Sequence, residues 1–168
     1  MWDAELPMLK KSLMFSQLIN YSKNKKLILN FFKNSKKYNI EIITSEYPLE
    51  SKFFRSLLHN LFLISFDPNK YNNEKNVQLY SSFLKKHPNI VRYLEKQIRI
   101  GKKLFGNKFI VGLGCIATGI LGNEPVLTSK ELERDLKIVK ELGINEIIIF
   151  RLGGLNKEYL KAIKAYAK

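Results

Sequence analysis

Four carboxylates stand where parallel strands would end. Asp3 and Glu5 are two residues apart, and in an extended strand that spacing points both side chains to one face. Glu46 is followed by Tyr47-Pro48 and Asp67 by Pro68, so each sits where an apolar run gives way to a turn. If the strands run parallel, their exit ends share one mouth and the acids meet there. Carboxylates gathered in that way divide acid and base work, because proximity and burial drive their proton affinities apart. On this reading Glu5 is the general acid and Asp3 orients it. Glu46 is the nucleophile or the stabiliser of positive charge, and Asp67 orients or contacts a substrate hydroxyl. The same acids have a second reading: Glu46, with Glu50, lies near a helix start, and Asp67 is placed to cap a turn through Pro68-Asn69.

A second constellation is rich in glycine. Gly112–Gly119 and Gly153-Gly154 follow the last two strand candidates. Backbone amides there, with Asn156 capping the next helix and Arg151 offering a bidentate contact, would suit a phosphate. Glu124, in the run Gly122–Pro125, joins Arg151, Gly153, Gly154 and Asn156 as a substrate-binding candidate. The alternative is that these glycines only permit tight turns. Neither run has the order of a Walker loop or a dinucleotide fingerprint. Cys115, His59 and His87 are far apart in sequence and make neither a Cys–His pair nor a zinc site. Cys115 reads as a buried small side chain and His87 as exposed. No cofactor is expected.

The elements that must position these residues alternate. Strands are expected at Ile40–Ser45, Leu61–Phe66, Phe109–Leu113 and Glu146–Phe150, each apolar on both faces as parallel strands are when covered on both sides. Helices are expected at Pro48–Asn60, Asn73–Lys86, Ile90–Phe105, Ser129–Leu142 and Lys157–Ala167, with His87-Pro88-Asn89 as a breaker. Thr128 with Glu131 makes a capping box, and Gly143 a left-handed stop. Near the N-terminus, Leu6-Pro7 opens a helical region reaching about Lys37, with a break near Ser22–Asn24. Before it, Trp2–Glu5 reads as the exit end of a strand whose apolar interior is missing, so the chain begins where a strand should be finishing. This βαβα order predicts one α/β domain over residues 1–168, a half or incomplete (βα)8 (TIM) barrel from the C-terminal part of a larger barrel. A flavodoxin-like doubly wound sheet is the alternative, with ligands at a topological switch point.

Residues Lys108–Ala167, with Gly112-Leu-Gly-Cys-Ile-Ala-Thr-Gly119, Gly122-Asn-Glu-Pro125 and Phe150-Arg-Leu-Gly-Gly-Leu155, resemble the closing two units of barrel enzymes that cleave sugars. Asp3-Ala4-Glu5 resembles the end of the Asp-x-Glu motif of chitinase-like glycoside hydrolases, and Ser65-Phe66-Asp67 is similar to the Tyr-Asp pair of that family. Phe66 stands where the family has Tyr, and Phe150-Arg151 where it has Trp. The resemblance implies a barrel and hydrolysis of a glycosidic bond by the carboxylates named above.

Composition bounds the rest. The 168 residues are 45% hydrophobic and 12% aromatic, with a single cysteine, which excludes a disordered chain and a disulfide scaffold. The formal charge of +14 comes from 29 Lys+Arg against 15 Asp+Glu. It is mostly lysine spread over helical stretches, which reads as a solvated surface and argues against nucleic acid as a partner. No membrane partner is expected, and a cytoplasmic location is. The expected ligand is a carbohydrate or a phosphorylated small molecule. A homodimer, or a partner supplying missing strands, is expected because unpaired strand edges associate. A non-catalytic basic protein stays open as a third class.

Overall fold

The computed structural model describes residues 2–3, 11–48, 51–62, 65–119 and 122–166; for residues 2–3, 11–18, 21 and 52 it describes the backbone only. The chain divides into two compact units, Met1–Asn76 and Val77–Lys168, with the division inside a strand.

The first unit contains β1 (Trp2–Asp3), α1 (Lys11–Asn34), β2 (Ile43–Glu46), α2 (Lys52–Phe62), the single-turn α3 (Pro68–Tyr71) and the start of β3 (Glu74–Gln78). The expected break at Ser22–Asn24 is absent: α1 is continuous. Serine and asparagine lower helix propensity without the steric block of proline. The helix tightens into a 3-10 turn at Ser35–Tyr38 and stops at Asn39, whose φ of 53° is left-handed. β1 runs parallel to β2 with Asp3 opposite Ser45, and β2 neighbours β3 through the Glu74 amide, which donates to the Ile42 carbonyl at 2.8 Å. Phe32 of α1 stacks on Phe66 with centroids 3.7 Å apart, and Ile42 and Tyr71 complete this small core. Each such side chain taken from water contributes about 1.5–3 kcal/mol.

The second unit contains the end of β3, α4 (Ile90–Phe105), β4 (Phe109–Gly114), α5 (Ser129–Glu141), β5 (Ile147–Phe150) and α6 (Lys157–Tyr166). The Leu79 amide donates to the Gly112 carbonyl at 2.7 Å, and β4 and β5 are parallel, pairing Val111 with Ile147 and Gly114 with Phe150. Val77, Leu79, Val111, Leu113, Ile147 and Ile149 alternate along the strands and pack with Leu94, Ile98, Leu132 and Leu136 of the helices. That leaves Gln78, Gly112, Ile148 and Phe150 on the opposite face. Gly101 of α4 lies so close beneath Phe109 that a Cβ would fall 2.2 Å from its ring.

The α/β class with parallel strands is observed. α4 matches its expected range, β4 and β5 differ by one residue at one end, and the Thr128–Glu131 capping box is present. Within neither unit does the strand order reverse, so neither holds the switch point of a doubly wound sheet.

Two further expectations are corrected. Leu61–Phe66 is not a strand: α2 runs to Phe62, Ser65–Asp67 has no regular structure, and Leu63 and Ile64 lie outside the described residues. Asn73–Lys86 is not a helix; β3 occupies Glu74–Gln78, and Ser81–Leu84 is a 3-10 turn. The strand Glu-Lys-Asn-Val-Gln is polar, yet from Lys75 onward it is buried; Lys75 and Asn76 are matched across to Glu46 and Ser45 of β2. Hydropathy cannot register such matching, and Val77, Tyr80 and Leu84 coincide with helical spacing. Among the described residues, no helix is long and apolar enough to cross a membrane.

Candidate functional site

Among the described residues, the buried polar residues of the first unit other than Ser35 lie where β2 and β3 run side by side. Asn73 donates through Nδ2 to Thr44 Oγ1 at 2.7 Å and to its neighbour's carbonyl, that of Glu74, at 3.0 Å. Lys75 Nζ donates to Glu46 Oε2 at 3.1 Å, with the two side chains 0% and 3% exposed. Asn76 Nδ2 donates to Ser45 Oγ at 2.8 Å. Alternation sorts these pairs. Ile42 packs against Phe32 of α1, so Thr44 and Glu46 face the helices with it, and their partners Asn73 and Lys75 do too. Ser45 and Asn76 take the other face, where Asp3 stands opposite Ser45 in register. The Oδ1 atoms of Asn73 and Asn76 are buried without a hydrogen-bond partner. An unsatisfied buried acceptor costs about 1–3 kcal/mol, and a ligand donor or ordered water relieves it.

The acids read from the sequence divide accordingly. Glu46 closes β2 and is committed to Lys75. Asp67 follows Ser65 and Phe66, which have no regular structure; its carboxylate accepts the Asn69 amide at 3.0 Å and caps α3, the second of its two sequence readings. Both acids still act on one cation. Burial pushes the Lys75 ammonium below its ordinary value, Glu46 and then Asp67 pull it back up, and Arg55 pushes it further down. Asp3 is described by its backbone alone, and Glu5 lies outside the described residues. Lys75 went unnoticed in the sequence. Its signal was the alternation through Asn73, Lys75, Val77 and Leu79, in which a lysine occupies an inward position.

His59 packs against Phe66 and Tyr71. Its Nε2 meets the Tyr71 hydroxyl at 3.1 Å, while its Nδ1 is buried without a partner. Burial lowers its proton affinity, Lys70, Lys25 and Lys75 lower it further, and Asp67 opposes them. The imidazole is therefore held toward its neutral form.

In the second unit, three rings gather at the strand exits. Phe150 ends β5 and stacks on Tyr80, just past β3, with centroids 5.8 Å apart and planes 22° from parallel. Tyr80 stacks in turn on Phe83 at 6.4 Å and 25°. Phe83 and Phe150 are exposed and Tyr80 is half-buried. Phe150 belongs to the strand face turned away from the helices. Gly114 opposite it lets the two strands approach closely, since a Cβ there would fall 2.8 Å from the Phe150 carbonyl oxygen. Arg151 is exposed beside the rings.

The other substrate-binding candidates are tied into local structure. Glu124 Oε2 accepts the Gly119 amide at 2.9 Å and closes its loop. Asn156 Oδ1 accepts the amides of Glu158 and Tyr159 at 2.9 and 3.0 Å, taking two of the donors an anion at the α6 N-terminus would use. Gly154 is a close-approach residue whose Cβ would fall 2.0 Å from the Ile116 carbonyl oxygen, whereas Gly153 faces open space. Cys115 is buried, and burial raises its thiol above the ordinary value despite the Ser82 hydroxyl. Beneath these loops, Asp135 accepts from Ser81 and, at 2.7 Å, from Arg134. Burial nonetheless holds its carboxyl above the usual range. Among the described residues, no group of three His, Cys, Asp or Glu side chains is arranged to hold a metal ion.

No family model matches the sequence, and no curated protein matches it. A solved structure does. The fold is similar to the PgaB (BpsB) glycoside hydrolase domain from Bordetella bronchiseptica, with a TM-score of 0.52 and 10% sequence identity. The match covers 89% of this chain and 43% of that one, so the present chain spans less than half the length of the protein it resembles. At that identity the likeness speaks for the fold, and only for a distant version of it.

Proposed function

We propose that the chain belongs to a carbohydrate-acting hydrolase, its parallel βα units forming part of an incomplete (βα)8-type barrel. The observation that carries this reading is the stack of Tyr80, Phe83 and Phe150 at the strand exits. Pyranose rings present C–H groups on their faces, and these pack on the electron-rich faces of aromatic rings as other edge-to-face contacts do. The exposed rings of Phe83 and Phe150, each held nearly parallel to the half-buried Tyr80, form a shelf for sugar, with Arg151 at its rim to bond hydroxyl or carboxylate oxygens. The distant likeness to a glycoside hydrolase domain supports the same substrate class. In this reading Glu5 is the general acid and Asp3 orients it, the roles their spacing in the sequence suggests. Glu46 and Asp67 act through Lys75, holding it charged against burial.

The test is release of reducing sugar from a panel of polysaccharides, with oligosaccharide binding followed by isothermal titration calorimetry. Glu5→Gln is expected to abolish hydrolysis with binding retained, and Phe150→Ala to weaken binding at least about tenfold, the loss of roughly one good aromatic contact. Binding unchanged in both Phe150→Ala and Tyr80→Ala, with their folds intact, would overturn the reading.

A further inference from the structure

The shelf and the acids leave the α1–α2 side of the first unit unexplained. Residues 6–40 contain eight lysines and no aspartate or glutamate. α2 carries Lys52 and Arg55 and likewise no acid. Its half-buried side holds Leu58, His59 and Phe62, while Phe53, Phe54, Leu57 and Leu61 repeat at three- and four-residue intervals on its exposed side. Phe53 is 71% exposed and Phe54 57%. On α1, Leu27 and Phe31 are exposed as well, and Lys25, Lys26 and Lys33 line a shallow groove. Lys25 Nζ donates to the Asn60 carbonyl at 3.1 Å, so the basic groove of α1 meets the apolar row of α2 beside Leu61.

We infer that this face docks on an anionic lipid surface. An apolar row of phenylalanine and leucine on a helix free of acids, bordered by lysines, has the amphipathic pattern of an interfacial helix. Two forces then act together: the rings and leucines leave water for the acyl boundary, and the lysines meet anionic headgroups. Charge complementarity selects the occupant. A neutral bilayer would leave the lysines unanswered, and a nucleic acid would answer them while leaving Phe53, Phe54, Leu57 and Leu61 in water. The mode is docking in the plane of the surface, since no described helix is long and apolar enough to span.

The test is co-sedimentation of the full chain with vesicles of phosphatidylcholine alone and of equimolar phosphatidylcholine and phosphatidylglycerol. Binding to the mixed vesicles is expected to be at least about tenfold stronger, since each lysine near an anionic surface adds severalfold. Phe53→Ser/Phe54→Ser, with circular dichroism unchanged, is expected to lose most of that binding. Lys26→Glu/Lys33→Glu is expected to lose the preference for phosphatidylglycerol. Equal binding to both vesicles, or full binding by the Phe53→Ser/Phe54→Ser variant, overturns the inference. So does retention on single-stranded DNA without vesicle binding.

Discussion

Lys75→Met tests the polar seam of the first unit most directly. The ammonium and the Glu46 carboxylate are 3.1 Å apart and both side chains are nearly inaccessible. With an effective dielectric constant of about 20, their attraction is about 5 kcal/mol, comparable to the several kcal/mol that burying each ion costs. The pair as a whole is close to neutral, but either member alone is expensive. Lys75→Met leaves Glu46 buried without its counter-ion and should destabilise by about 3–5 kcal/mol, whereas Lys75→Met/Glu46→Leu should come within about 1.5 kcal/mol of the parent. Urea unfolding at neutral pH measures both. A pH series adds a second readout. Burial sets Lys75 below its ordinary value of 10.5, so between its folded value and 10.5 the unfolded chain binds the proton more tightly and stability rises with pH. Lys75→Met should lack that rise. A cost below about 1 kcal/mol for the single variant, or a double variant as unstable as the single, would refute the claim that the two charges are buried against each other.

Three further outcomes follow from the second unit. Asp135 is held above its ordinary value of 3.8 by burial, so native protein keeps a proton that the unfolded chain has lost, and stability falls as pH rises from 3.8 through the raised value; Asp135→Asn should flatten that fall in thermal melts across acid pH. Gly154→Ala drives a methyl against the Ile116 carbonyl and should cost about 1–3 kcal/mol, lowering Tm by roughly 2–4 °C for each kcal/mol, while Gly153→Ala, which meets nothing, should melt with the parent. Thr128→Ala removes the hydroxyl that accepts the Glu131 amide and should cost about 1 kcal/mol by denaturant unfolding.

What the sequence determined by itself was local. The helix from Ser129 has its signal within four residues, because a capping box is closed by Thr128 and Glu131 alone, and α4 is bounded by Asn89 and Gly106, each acting on its own turn. The apolar strand β4 is legible for the same reason: Phe109, Val111 and Leu113 need only be hydrophobic to be buried. β3 is the counter-case. Lys75, Asn76 and Gln78 are polar, and nothing near them in sequence announces burial; their partners Glu46 and Ser45 lie some thirty positions earlier and come within reach only when β2 and β3 run side by side. The same holds for Asp67, which local chemistry allowed to be either a strand-end acid or a cap, and for Tyr80 and Phe150, seventy residues apart and stacked only by the fold. Hydrophobic burial depends on a residue's own surface and can be read in place. Satisfaction of a buried charge or amide, and the alignment of two rings, depend on a second residue whose position only the tertiary structure supplies.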